Sequence, residues 1–532
     1  MQRVTVEQGK SCSPLLTKQR SFENRGDPSS SYRISFVGQT QSTQTAMKVV
    51  QAVQRCYVSH CLKLFPCSER MHILSCCIFR VMLIIVYPMT IAERIQSLEK
   101  FGIKPGLERI MVMLNCLDHP EKAYKIIIVG GTNGKGSTCS MIDSILRSAG
   151  YKTGLYTSPH LLSLRERIKV NGEMIDHRAF DAIGERLFDL IGGRAELSDV
   201  TYFEFITAAA LLYFNGEKID IAVLEVGMGG RFDATNAVQP DVSVITNIAL
   251  DHQLYLGTTE QEIAREKAGI IRSGKPFVTS ERNPVTRQIL EEECNNKHGV
   301  LYAMDSAFSI SGNEADCSFY NDRRTLHGLR LALKGSHQLS NAAAAIQAAL
   351  LVDEPVNKIA DSAVRDGLLK TSWPGRFEII QKNPDVVLDS AHNPAGIQTL
   401  VQTVKDYYVT PLHPPYQGER NRGLPSYQGK AEFVTVVFAV SKDKQWQGMI
   451  TRLSEIADSF VLTSYAGERS AAPEELAAFI RSSGFRSSGD VNVIASSKSA
   501  LNHALAITPA DGVIVVTGSI FLIGEIKMET QI

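Results

Sequence analysis

The chain has 532 residues, enough for two or three domains, and its 44% hydrophobic content is sufficient for a sizeable core. The 56 Lys and Arg balance the 56 Asp and Glu, which excludes a general attraction to nucleic acid or to an anionic membrane.

That balance hides an asymmetry. Residues 1–89 hold eleven basic against four acidic residues, +7, and the remainder carries −7. Six of the ten cysteines also lie there, while Cys116, Cys139, Cys294 and Cys317 are scattered without metal spacing and no CxxC pair occurs. The rest of the chain therefore reads as a reduced, intracellular protein without a disulfide framework. Residues 1–46 are rich in Ser, Thr, Gln and Arg and poor in acids, which reads as an organelle transit peptide or a disordered tail. The apolar run 71–88 is short for a membrane span and has Arg80 at its centre, so no span is expected. A gene-model artefact upstream of Met89 is the other reading of this region, since globular patterning begins at Thr90.

From Thr90 onward the chain alternates. A helical stretch, Ala92–Lys100, precedes the "GLERI" turn of 106–110. Short apolar runs then recur between amphipathic segments: 126–129, 153–156, 221–224 and 242–246. After residue 376 they return at 386–388, 434–438, 460–462, 491–494 and 513–516. Buried strands separated by helices predict mostly parallel sheets covered on both faces. There are too many for one sheet, so two α/β domains are expected. "SWPGRF" (372–377) marks the boundary, giving an extension 1–89 and domains 90–371 and 372–532. The Pro/Gly-rich stretch 409–430 reads as a surface-loop insertion.

"KIIIVGGTNGKGST" (125–138) joins a strand to a helix through glycines, the geometry of an anion site. Gly131, Gly134 and Gly136 let backbone N–H groups approach phosphate oxygens, and the helix N-terminus adds positive potential. Lys135 can reach terminal phosphates, with Ser137 or Thr138 assisting. A glycine stands between the lysine and the serine, unlike the usual G-xxxx-G-K-[ST] pattern. In "AVLEVGMGGRFDATN" Glu225 follows a strand, and in "TNIALDHQLYLG" Asp251 and His252 do the same. Ligands bind at that edge of an α/β sheet. Alone, Glu225 reads as a capping or ion-paired carboxylate and His252 as a core histidine. Beside a phosphate loop they suit Mg²⁺, which takes oxygen ligands and bridges ATP phosphates.

Eleven stretches in order resemble the folylpolyglutamate synthase/dihydrofolate synthase family of Mur-type amide ligases: "GLERI", "GGTNGKGSTC", "YTSPHLLSLRERI", "TYFEFITAAA", "LEVGMGGRFDATN", "ALDHQLYLG", "AREKAGIIR", "GSHQLSNAAAA", "WPGRFE", "DSAHNPAG" and "VTGSIFLIGE". The resemblance covers about Thr90 to Glu525. It implies a P-loop ATPase domain of Mur-ligase type followed by a smaller Rossmann-like domain, with the site in the cleft between them. It further implies that ATP phosphorylates a pteroate or folate carboxylate and that L-glutamate attacks the acyl phosphate. Carried over by position, Gly134, Lys135, Gly136 and Ser137 cradle phosphates; Asn341, Arg376 and Asp389 contact the nucleotide; and Ser158, Glu225 and His252 hold Mg²⁺. Lys267 matches a lysine carried as a carbamate. His392 falls on the glutamate or acyl-phosphate side, and Thr201 and Tyr202 at the pterin pocket. Ser390 departs from the family's glycine in "DGAHNP".

Two further features bear on which member this is. Chain-extending eukaryotic members carry lysine at the position of Asn133 and a GGxYDxTN-like stretch where this chain has "GGRFDATN". Both differences point to a dihydropteroate-using dihydrofolate synthase, and the N-terminal segment to a plant mitochondrial protein with a cytoplasmic location as the alternative. Folylpolyglutamate synthase, a bifunctional enzyme and a catalytically inactive nucleotide- or folate-binding protein are the other readings. The expected partners are small molecules, with no nucleic acid, no membrane and a monomeric chain.

Overall fold

The computed structural model describes residues 89–409, 431–485 and 490–530, together with the dipeptides Arg3–Val4 and Arg33–Ile34. The expected transit segment, the apolar run 71–88 and the insertion beyond Val409 lie outside the described residues, apart from those dipeptides. Two compact units divide the chain, Met1–Thr90 and Ile91–Ile532, and the second carries both large sheets.

The first sheet has eight strands: β1 (Lys125–Gly130), β2 (Thr153–Tyr156), β3 (Ile168–Val170), β4 (Glu173–Met174), β5 (Ile221–Glu225), β6 (Val242–Ile245), β7 (Pro276–Thr279) and β8 (Val300–Ala303). Their order is β8-β7-β6-β1-β5-β2-β3-β4, parallel from β8 to β2 and antiparallel in the last two pairings. Residues β1 turns to opposite faces enter different clusters, as a period of two requires. Ile127 and Val129 pack with the helices α1 (Lys135–Ser148) and α4 (His337–Asp353), and Ile126 packs with α2 (Tyr202–Gly216). The short helix α3 (Glu260–Ala268) joins a third cluster with Ile128 and Ile245. Ala342 to Ala345 in α4 are all fully buried, because a helix covered on nearly every side needs small side chains to fit.

A three-stranded antiparallel sheet follows, β9 (Phe308–Gly312), β10 (Cys317–Asn321) and β11 (Thr325–Leu329). The second large sheet contains β12 (Glu378–Gln381), β13 (Asp385–Leu388), β14 (Val434–Phe438), β15 (Ser459–Leu462), β16 (Val491–Val493) and β17 (Val513–Thr517). Its order is β12-β13-β17-β14-β15-β16, with only the β12–β13 pair antiparallel. Fully buried Val436 and Phe438 enter one cluster and Val437 another.

All nine apolar runs are strands, and 153–156 and 434–438 match residue for residue. The helix expected over 92–100 is an α-helix at Ile91–Gln96 that tightens into a 3₁₀ turn at Ser97–Phe101. Strands β3, β4 and β7 to β12 were not anticipated. The hairpin and the small sheet are half-exposed and carry Ser, Asn and Asp between their apolar residues, so they lack the continuous run that marks a covered strand. Among the described residues no helix is long and apolar enough to cross a membrane.

Candidate active site

The loops leaving β1, β2, β5 and β6 emerge on one edge of the first sheet, since these strands are parallel neighbours. Strand β1 stands where the chain changes direction across the sheet, the switch point at which α/β proteins bind ligands. The phosphate loop follows β1. The loop after β6 pins it: Thr132 N donates to Asn247 O at 2.8 Å, Asn133 N to Asn247 Oδ1 at 2.9 Å and Thr246 Oγ1 to Asn133 O at 2.7 Å. Gly134 has φ +83°, and a Cβ there would lie 2.5 Å from Oδ1 of Asn341, so both conformation and space demand glycine. Helix α1 starts at Lys135 and has no acidic residue in its first turn. Its N-terminal potential is thus left for an anion.

Lys135 is the electrostatic hub. Its Nζ donates to Thr132 O at 3.1 Å, and its charge acts on Glu225, His252 and Lys267 alike. Glu225 is buried at the end of β5, and its Oε2 accepts the backbone N–H of Ser158 at 2.9 Å. Burial pushes its pKa up, opposed chiefly by Lys135 and then by that N–H group, Arg376 and Arg167. Lys267, on α3, is buried and donates from Nζ to Gly131 O at 2.8 Å. Burial, then Lys135, lowers its pKa to about 7, so its amine is substantially neutral near physiological pH. His252 is lowered to about 4, mainly by burial, and its Nε2 lies 4.0 Å from Asp251 Oδ2.

Glu225 and Ser158, both expected metal ligands, are neighbours through the Ser158 N–H bond to Glu225 Oε2, and the Thr138 hydroxyl in the first turn of α1 is buried without a hydrogen-bond partner. Among the described residues no three or more His, Cys, Asp or Glu form a metal cage. The donor set therefore suits a cation that keeps waters and arrives with phosphate.

The second sheet contributes the loops after β13 and β14. Asp389 accepts from Phe377 N and Ala391 N, each at 2.9 Å, and Arg376 opposes the rise in pKa that burial causes. His392 Nδ1 lies 3.0 Å from Ser390 O, so Nδ1 is the protonated nitrogen and Nε2 is left with its lone pair. Burial, then Lys444, lowers the His392 pKa to about 4. Ser390 needs no glycine: its φ is not left-handed, and its N–H and hydroxyl both donate to Gly375 O at 3.0 Å. Ser390→Gly is expected to lose about 1 kcal/mol of stability, read by urea denaturation, with turnover unchanged.

The two edges meet at Asp251, a residue not assigned a role from its sequence position. Its carboxylate accepts from Lys444 Nζ at 2.6 Å and from Asn393 Nδ2 at 3.0 Å, with His392 Nε2 at 3.7 Å. Asn393 also donates to Asn133 Oδ1 at 3.0 Å, and Gln445 Nε2 donates to Gln253 Oε1 at 2.9 Å. Lys444 follows a parallel strand by a few residues, the one positional signal available for it, whereas Asn393 also lies in the "DSAHNPAG" stretch.

Elsewhere the placement is mixed. Asn341 is buried against the phosphate loop and donates to Gln338 Oε1 at 2.9 Å. Thr201 caps α2, exchanging hydrogen bonds with Glu204, and so is engaged in the helix end. Arg167 covers the Tyr202 ring at 5.3 Å. Phe203, unmarked in the sequence, packs so closely on Gly227 that a Cβ there would lie 2.5 Å away.

Comparison with known proteins identifies the family. Residues 129–349 match the Mur ligase middle domain. A Bacillus subtilis (strain 168) protein named "Dihydrofolate synthase/folylpolyglutamate synthase" is 36% identical over 440 residues, 80% of this chain and 95% of its own length. A namesake from Escherichia coli (strain K12) is 33% identical over 432 residues, 81% of this chain and 93% of its own. Among solved structures, "E.coli FolC in complex with DHPP and ADP" superposes with TM-score 0.70 at 30% identity, covering 84% of this chain and 98% of that one. A "bifunctional folylpolyglutamate synthase/dihydrofolate synthase with Mn, AMPPNP and L-Glutamate bound" gives TM-score 0.72 at 32% identity, covering 84% and 99%. The chain therefore belongs to the dihydrofolate synthase/folylpolyglutamate synthase family, ATP-dependent amide ligases built on the Mur ligase fold.

Proposed function

We propose that this chain joins L-glutamate to 7,8-dihydropteroate, forming dihydrofolate, ADP and phosphate. The observation that carries the reading is the convergence on Lys135 of a phosphate loop, a buried carboxylate and a buried neutral amine. A carboxylate is a poor electrophile. Its oxygen attacks the terminal phosphorus of ATP, the bond to ADP breaks, and the resulting acyl phosphate has phosphate as a leaving group. The glutamate amine then attacks the acyl carbon. The His392 Nε2 lone pair, in a ring that is neutral near pH 7, accepts the proton the amine loses. Lys135, the head of α1 and Arg376 hold the phosphates in line while negative charge develops. Glu225, Ser158 and His252 would hold a divalent cation, which supplies neutralisation of phosphate charge. In this reading Asn341 and Asp389 position the nucleotide, and Tyr202 and Thr201 border the pterin.

Dihydropteroate as acceptor is supported by Asn133 and by the "GGRFDATN" stretch, both unlike chain-extending eukaryotic members. The double name of the bacterial relatives favours tail extension as the second reading. The purified chain, given ATP, Mg²⁺, glutamate and either dihydropteroate or tetrahydrofolate, distinguishes them by product mass. Dihydrofolate in the first incubation supports the proposal. Product only in the second replaces it with tail extension, and no ADP in either overturns the ligase reading. A mitochondrial location is supported by the basic composition of residues 1–46 alone, and subcellular fractionation tests it against the cytoplasm.

A carbamate on Lys267 belongs to the same reading, because a neutral buried amine can add carbon dioxide. The Lys267 pKa is depressed to about 7, so the reactive form is scarce below that pH and dominant above it. Carbon-13 NMR in labelled bicarbonate is expected to show a carbamate signal at pH 8 that fades toward pH 6 and is missing from Lys267→Ala.

A further inference from the structure

Gly136 breaks the usual phosphate-loop pattern, and backbone conformation does not explain it. The residue lies in the first turn of α1 and its φ is not left-handed. Space does explain it. A Cβ at Gly136 would lie 2.8 Å from both Cζ2 and Nε1 of Trp373, nearer than real side chains come.

Trp373 begins an arm of chain that ends in the second sheet. On the first-sheet side Ser140 Oγ donates to Ser372 O at 3.0 Å, and the indole packs against the cluster beneath α1. On the other side Gly375 O accepts twice from Ser390, Gly375 N donates to Glu378 Oε2 at 2.7 Å, and Phe377 N donates to Asp389 Oδ2 at 2.9 Å. Arg376 lies within this second anchorage. Its Nη1 donates to Gly375 O at 3.0 Å, and its charge acts on Glu225, Asp389 and His392. Between Trp373 and Gly375 stands Pro374, whose ring fixes φ and takes slack out of the connection.

We propose that Trp373 is a positioning residue for the nucleotide step: seated on Gly136, its indole sets the distance between the phosphate loop and Arg376. The glycine between Lys135 and Ser137 is the seat for that ring. The proposal rests on the ligase reading, in which Arg376 contacts the transferring phosphate. A displacement of about 1 Å at such a group lowers a rate about a hundredfold.

The test is a double-mutant cycle on the full chain, read as kcat/KM for ATP. Trp373→Ala and Arg376→Ala are each expected to lose about a hundredfold. The double variant should match Arg376→Ala alone, because with the guanidinium gone the indole has nothing left to position. Trp373→Phe should retain most of the activity. Gly136→Ala should lose activity and recover part of it when combined with Trp373→Phe, whose smaller ring vacates the space. Losses that multiply in the double variant, or a Trp373→Ala enzyme with wild-type kcat/KM for ATP, overturn the proposal. If Trp373→Ala does not fold, Gly136→Ala displaces the ring from the loop side and enters the same cycle. A wild-type chain that forms no ADP sinks the ligase reading instead, before any variant is compared.

Discussion

Lys135→Met is expected to lower turnover about a thousandfold while leaving the fold intact, a loss of the size seen when a preorganised donor to a developing charge is removed. The lysine makes one hydrogen bond, to Thr132 O, so stability should fall by no more than about 1 kcal/mol. Its charge also lowers the pKa of Glu225, His252 and Lys267, in each case after burial as the first influence on the group. Removing it lets all three rise. For Lys267 the neutral amine then requires higher pH, and the bicarbonate-dependent NMR signal should shift alkaline in the variant. Steady-state kinetics and that titration together separate loss of a phosphate contact from collapse of the loop, which would abolish the signal at every pH.

Asp251→Ala should be the most destabilising single change at the site. Asp251 is 9% exposed and Lys444 11%. Truncating one partner leaves the other charge buried and unpaired, a loss of about 3–5 kcal/mol. Asp251→Ala with Lys444→Met should recover much of that loss, because the stranded cation is gone. Urea denaturation followed by tryptophan fluorescence measures both. The pH dependence has a definite sign. Burial pushes the Asp251 pKa up, but Lys444, His252 and His392 together pull it well below the ordinary carboxylate range. A depressed carboxylate contributes its stabilisation fully above the unfolded value, about pH 4, and loses it as the pH falls further. The variant should therefore lose less stability than the wild type on acidification below about pH 4.

The nine anticipated strands were legible because each is a short continuous apolar run, the mark of a strand covered on both faces. The phosphate loop and Glu225 stood out as candidates because each directly follows such a run, at the edge where ligands bind, and His252 follows its run by a few residues. Lys444, Asn393 and Trp373 did not stand out. Lys444 lies among polar residues without a local pattern; Asn393 and Trp373 sit inside the stretches "DSAHNPAG" and "WPGRFE", but what each touches, such as the space left by the missing Cβ of Gly136, shows only in the fold. The three-stranded sheet of β9 to β11 escaped for a different reason, since its turns and half-exposed faces dilute the alternation that would have marked it. Thr201 shows what a motif leaves out: its stretch stood out, and in the fold its hydroxyl also caps the helix that carries Tyr202.

The bonds that join the two edges connect positions far apart along the chain: Asp251 and Asn393 are 142 residues apart, Asp251 and Lys444 193, and Asn133 and Asn393 260. Contacts of such span form late, because the entropy of closing a long loop must be overcome first. During synthesis the first sheet emerges and can bury its core well before Lys444 exists. A growing or half-folded chain thus has its phosphate loop before it has the Lys444 and Asn393 contacts that tie that edge to the second sheet.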